Sequence, residues 1–223
     1  MKKLFLAIIV LAIAISTNAQ FKPSQGDFSA EVNFRPLSAN PIQIDYLKGR
    51  MFLNSDMAIR LGLELNSYSE TSKSTNTANP PITEETTNKY MIFGLRPGIE
   101  FHMKGTDRLS PYYGAEIAFS MKSASTKITN FNNVDGSNVE VNGVWQDGSN
   151  MGYTMFGINL LFGADYYVAK HLYLGAEIGF GFFNYSYKDT EVTSGTTTKT
   201  TPNGSDMNMG VNFNSAIRLG WAF

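Results

Sequence analysis

Beyond its first twenty positions the chain alternates apolar and polar residues with period two, the spacing of strands that keep one face against apolar surroundings. From Met57 to Asn66, one face carries Met57, Ile59, Leu61, Leu63 and Leu65. The other carries Ala58, Arg60, Gly62, Glu64 and Asn66. Tyr90 to His102 repeats the pattern, with Met91, Phe93, Leu95, Pro97, Ile99 and Phe101 set against Tyr90, Gly94, Arg96, Gly98, Glu100 and His102. Three more segments follow it, from Leu109 to Lys122, Phe156 to Tyr166 and Leu172 to Phe182. A sixth runs from Val211 to Phe223, and near the start Phe28, Ala30, Val32 and Phe34 alternate with Ser29, Glu31, Asn33 and Arg35. Ile42 to Leu53 is less regular, because Ile44, Asp45, Tyr46 and Leu47 break the alternation; a bulge is expected there.

The pattern therefore predicts eight strands, an even number. Asn54-Ser55-Asp56, Met103 to Asp107 and Ala169-Lys170 are short connections. Ser69 to Asn88, Ser123 to Asn150 and Lys188 to Ser205 are long and rich in Ser, Thr, Asn and Gly, and read as loops; Pro36 to Pro41 is a short link on that side. Short turns at one end and long connections at the other describe an antiparallel up-and-down transmembrane β-barrel.

The two faces of the strands decide between that barrel and a water-soluble sandwich. The apolar face carries no charge in seven of the eight segments, as hydrocarbon demands: a Lys or Arg facing lipid costs roughly 2–4 kcal/mol near the midplane. The polar face is glycine-rich, as a crowded barrel interior requires. Its charges balance, with Glu31, Glu64, Glu100, Glu116, Asp165 and Glu177 against Arg35, Lys48, Arg50, Arg60, Arg96 and Arg218. Charges confined in a narrow lumen are expected to pair, because an isolated buried charge is expensive.

Composition alone would have suggested an ordinary soluble protein, since the mean hydropathy of the 223 residues is −0.16. That value excludes a multi-span helical membrane protein. Eighteen Lys and Arg against nineteen Asp and Glu leave no basic footprint, so nucleic acid is not an expected partner. The absence of cysteine removes disulfides and thiolate metal sites. At the start, Lys2 and Lys3 precede the apolar run Leu4 to Ile15 and then Ser16-Thr17-Asn18-Ala19. A helix of that run spans about 18 Å, too little for a bilayer core of roughly 30 Å. It reads as a signal peptide over residues 1–19, with the exported barrel occupying 20–223.

These features together resemble the eight-stranded bacterial outer-membrane barrels of the OmpA/OmpX type, the "outer membrane protein β-barrel domain" family. Leu53 to Gly62 resembles that family's turn and third strand. Ile217 to Phe223, with Leu219, Trp221 and a final Phe223, resembles the C-terminal signal read by the barrel-assembly machinery. The resemblance implies residence in the outer membrane, contact with its lipid, and passage through that machinery.

Candidate chemistry is sparse. The two histidines, His102 and His171, both fall near short-turn ends; Ser110 and Glu100 are conceivable neighbours of His102 in a Ser-His-acid array, but polar rim residues are the expected reading. Asp135-Gly136-Ser137-Asn138 recurs as Asp147-Gly148-Ser149-Asn150; the oxygen-rich repeat could hold calcium, and Asp-Gly turns are expected instead. Val139 to Trp145 reads as a small hairpin around an Asn142-Gly143 type I′ turn, projecting outward with a free edge and with Trp145 as a candidate contact residue. No metal site and no cofactor are expected. The sequence points to a non-enzymatic barrel with a charge-plugged interior, serving envelope structure or surface interaction through extracellular loops that meet a protein or surface ligand. A small pore and a lipid-modifying enzyme are the alternatives.

Overall fold

In the computed structural model, which describes residues 21–34, 42–213 and 217–223, hydrogen-bonded strands follow one another around a closed ring. The strands are β1 (Phe28–Phe34), β2 (Ile42–Asn54), β3 (Met57–Thr75), β4 (Thr83–His102), β5 (Leu109–Thr129), β6 (Asn138–Asn142), β7 (Tyr153–Tyr167), β8 (Leu172–Tyr187), β9 (Thr190–Ser194), β10 (Thr197–Thr201), β11 (Ser205–Phe213) and β12 (Ile217–Ala222). Each of β1 to β5 pairs antiparallel with the next, β5 pairs with β7, and β7 with β8. Both β11 and β12 lie along β8, and β12 returns to β1. Eight strand positions thus close an antiparallel barrel, the eighth filled by β11 and β12 in succession. One turn of 3-10 helix, Phe131–Asn133, is the sole helical element among the described residues.

The alternation sorts faces as the sequence reads. Outward-facing Leu61, Leu65, Phe93, Ile117, Phe156, Ile158, Phe162 and Phe180 are exposed, an apolar belt that only lipid would cover. Inward-facing Glu31, Arg50, Arg60, Glu100, Asp165 and Arg218 are buried instead. The irregularity expected in β2 is real: Val32 pairs with Leu47 and Asn33 with Gln43, so Ile44 to Tyr46 bulge out of the β1 ladder.

The long connections differ from the sequence reading. Ser69–Asn88 is mostly strand, because β3 and β4 stay paired out to Thr75 and Thr83. Ser123–Asn150 contains the end of β5 and all of β6, and Lys188–Ser205 contains the β9–β10 hairpin. Above the apolar belt both faces of a strand meet polar surroundings, so alternation disappears while β-propensity persists. Threonine supplies that propensity, and cross-strand hydroxyl pairs Thr71–Thr87 (3.1 Å), Thr75–Thr83 (2.8 Å) and Thr193–Thr198 (2.9 Å) line the extensions.

The hairpin at Asn142-Gly143 does not form. A type I′ turn needs positive φ at both central residues; Gly143 has φ 88°, but Asn142 is not in that region. Instead β6 adds to the edge of β5, with Val141 opposite Thr126, and β9 adds to β6. The edge that the sequence offered to a partner is taken by the chain itself. The result is a wall of sheet, β3-β4-β5-β6-β9-β10, rising from one side of the rim. Ile128, Val139, Val141 and Val144 form a small core against it, joined by Phe131, Met151 and Val192.

Candidate functional site

Arg50 on β2 reaches into the lumen and donates through Nη1 to Asp165 (2.5 Å) and through Nη2 to Glu31 (2.8 Å), with its Nε 3.2 Å from Glu100. Lys48, two residues along the same face, pairs with Glu31 and lies 3.4 Å from Glu177. Arg60 on β3 meets Glu100 (2.7 Å), Glu177 (2.8 Å) and Glu116 (3.1 Å). Arg218 on β12 closes the cluster through Asp165 (2.9 Å) and Glu31 (3.1 Å). Glu100 and Asp165 have no exposed surface, and Arg218 is 1% exposed. Multiple partners per ion are what make such burial tolerable, since desolvation of each charge is costly.

Tyrosines complete the layer. Tyr112 donates to Glu177 (2.5 Å) and Tyr173 to Glu31 (3.0 Å). The Arg50 guanidinium lies 5.2 Å from the centroid of the Tyr112 ring and 5.4 Å from that of Tyr173. Each ring lies against a glycine on the neighbouring strand, Tyr112 opposite Gly163 and Tyr173 opposite Gly220. A Cβ on Gly163 would stand 2.4 Å from Tyr112 Cζ, and one on Gly220 2.1 Å from Tyr173 Cζ. Period two sets Tyr112 with Ser110 and Glu116, and Tyr173 with Gly175 and Glu177, on the polar face without giving either a role; the signal is the Tyr-Gly pairing across strands, which appears only once register is known.

Arg96 and Glu64 sit farther from the short-turn end. Arg96 lies 3.7 Å from Glu116 and is 28% exposed in its side chain, and Glu64 is half-buried beside Gly94. Arg35 and residues 1–19, where a signal peptide is expected, lie outside the described residues. Along β3 the inward-facing residues grow more exposed from the charged layer toward the long-strand end, where Tyr68 is 42% exposed, while on β5 Ser120, Thr126 and Ile128 stay buried.

At the short-turn end, His102 Nδ1 is 3.0 Å from Ser110 Oγ, and His102 Nε2 is 3.5 Å from Glu100 Oε2. A cavity of about 790 Å³ opens beside them, lined also by Phe21, Lys22, Lys104 and Asp107. Glu100 is already engaged by Arg50 and Arg60, so this chain of polar groups continues the charged layer to the rim. His171 lies elsewhere, in a positive-φ turn (67°) with its ring 6.2 Å from Trp221. Leu219 and Trp221 pair with Val32 and Ala30 of β1, and Phe223 exchanges backbone hydrogen bonds with Phe28 (2.7 and 2.9 Å).

Trp145 is half-buried on the inner side of the wall. Its indole donates to the Lys89 carbonyl (2.9 Å), and its ring lies 6.0 Å from both Tyr68 and Tyr90. The Asp-Gly repeats are turns, with Gly136 at φ 72° and Gly148 at φ 79°. Asp147 accepts from both the N–H (2.9 Å) and the hydroxyl (2.7 Å) of Ser149, bonds that hold its exposed carboxyl below the ordinary range.

Comparison with known proteins adds a family. A family model described as the "Putative OmpA-OmpF-like porin family" matches residues 42–223. Among solved structures, the outer membrane protein OprG from Pseudomonas aeruginosa is similar at 11% identity with a TM-score of 0.48, covering 92% of this chain and 99% of its own. Acinetobacter baumannii CarO is similar at 13% identity with a TM-score of 0.39, covering 89% of this chain and 97% of its own. No curated protein matches.

Proposed function

Because the chain belongs to this OmpA-OmpF-like porin family of outer-membrane β-barrels, we propose that it is a plugged member, which serves the envelope by displaying its wall of sheet to the exterior rather than by conducting or catalysing. The buried ion layer carries this reading. Eight strands enclose a lumen only wide enough for side chains, and Arg50, Arg60, Arg218 and their carboxylates occupy it from every side. Steady current through purified protein in planar bilayers would overturn it; silence is expected. Display to the exterior follows from the short turns of such barrels facing the periplasm. The chain has no native cysteine, so Thr198→Cys on β10 offers a unique thiol, expected to react with an impermeant maleimide on intact cells.

A second reading, hydrolysis of membrane lipid, draws on the 3.0 Å contact between His102 and Ser110. Lipid hydrolysis by the folded barrel that disappears in His102→Ala would replace the first reading.

A further inference from the structure

The outward surface of the sheet changes chemistry within two rows. Leu65, Phe93 and Met121 stand side by side on β3, β4 and β5; the next row is Ser67, Met91 and Ser123, and the next is Ser69, Lys89 and Ser125. Successive outward rows lie about 6.6 Å apart along a strand. Below Lys89 the outward side of β4 is apolar from Met91 down to Phe101. At roughly 3.3 Å per residue and a tilt near 40°, that stretch rises about 25 Å, the height of the apolar band of a membrane barrel. Lys89 therefore stands one step beyond the hydrocarbon, at headgroup level.

Its surroundings are open and small. Serine flanks Lys89 on both neighbouring strands and lies diagonally below it on both, so the ammonium rises from a trough. A concavity of about 320 Å³ reaches down from Lys89 and Ser125 to Met91, and another of about 330 Å³ reaches up from them to Lys127. Lys73, on the same face, is neutralised by Glu85 at 2.7 Å. Lys89 has no ion pair among the described residues. Its backbone is meanwhile fixed from the other side of the sheet, where the Trp145 indole holds its carbonyl.

We propose that Lys89, with the hydroxyls of Ser69 and Ser125, docks the phosphate of a glycolipid of the outer leaflet, whose acyl chains descend over Met91, Phe93 and Met121. A compact ammonium supplies the charge, the hydroxyls donate to phosphate oxygens, and the trough of serines leaves room for the sugar. The upper concavity holds Lys127 beside Glu140, its cross-strand partner, together with Glu85, so the charge offered to the phosphate is that of Lys89. The proposal rests on the wall facing the exterior, which the Thr198→Cys labelling measures separately.

The test places folded barrel in phosphatidylcholine nanodiscs containing diphosphoryl lipid A, extracts it into mild detergent, and counts retained lipid by native mass spectrometry. Wild-type protein is expected to retain lipid A. Lys89→Gln, an exposed substitution checked for folding by gel mobility, should lose retention about tenfold, the scale of one charged hydrogen-bonding contact. Lys199→Gln on β10 removes an equally exposed cation far from the trough and should retain lipid like wild type. Equal retention by Lys89→Gln and wild type overturns the proposal, as does equal retention of lipid A stripped of its phosphates. Labelling of Thr198→Cys only from the periplasmic side overturns it through its premise.

Discussion

Arg50 and Asp165 stand 115 residues apart in sequence and meet at 2.5 Å in the middle of the lumen, each without exposed side-chain surface. Removing one member of such a pair strands the other in a site closed to water. Arg60→Ala and Arg218→Ala are each expected to cost on the order of 3–5 kcal/mol. Lys73→Ala, which breaks the exposed pair with Glu85, should cost about 0–1 kcal/mol. Urea unfolding midpoints of the three variants decide it; similar midpoints would contradict a buried layer.

The glycines beneath the tyrosines make a sharper test of packing. Gly220→Ala would drive a methyl into the Tyr173 ring, an overpacking worth about 1–3 kcal/mol. Combined with Tyr173→Leu, the same substitution should cost much less than the sum of the two alone. A double-mutant cycle that came out additive would mean that the ring and the glycine do not share the space.

The wall and the barrel should separate energetically. Val192 packs on the core formed by Val139, Val141 and Val144, so Val192→Asp puts a charge into it. Hydrogen exchange is expected to show loss of protection in β9 and β10. The barrel below should still run faster on an unheated gel than after boiling, and loss of that shift would show that wall and barrel unfold together.

Trp145 is expected to pin the segment from Gly143 to Gly152. Trp145→Phe keeps a ring near Tyr68 and Tyr90 but loses the bond to the Lys89 carbonyl, a net loss of about 1 kcal/mol. Faster proteolysis within 143–152, with unchanged cleavage elsewhere, is the outcome to look for.

How much of this was legible in the sequence follows the reach of the apolar belt. Inside it, Leu61 and Leu65 turn to lipid while Arg60 turns to the lumen, and period two reads them without ambiguity. The same period put Glu31, Lys48, Arg50 and Arg218 on one interior face; it could not say which carboxylate each base meets, because that depends on tilt and register around the ring. Beyond the belt the signal failed. Thr71, Thr75 and Thr87 belong to strands that have no apolar face to reveal them. Asn142-Gly143 misled for a related reason: a local turn signal lost to the unpaired edge of β5, a partner supplied by a distant part of the fold. Tyr112 and Tyr173 were visible as inward residues, but their glycine partners are not neighbours in sequence.

The charged layer also bears on how the barrel comes into being. Every one of the eight strand positions contributes to it, from Glu31 on β1 to Arg218 on β12, and those two face each other across the seam where the ring closes. A barrel with the seam unzipped would part Arg218 from Glu31 and leave both charges at a half-open, lipid-lined gap. Sealing the wall and neutralising the interior are therefore one event, and the C-terminal strand that completes the circle also delivers the last charge.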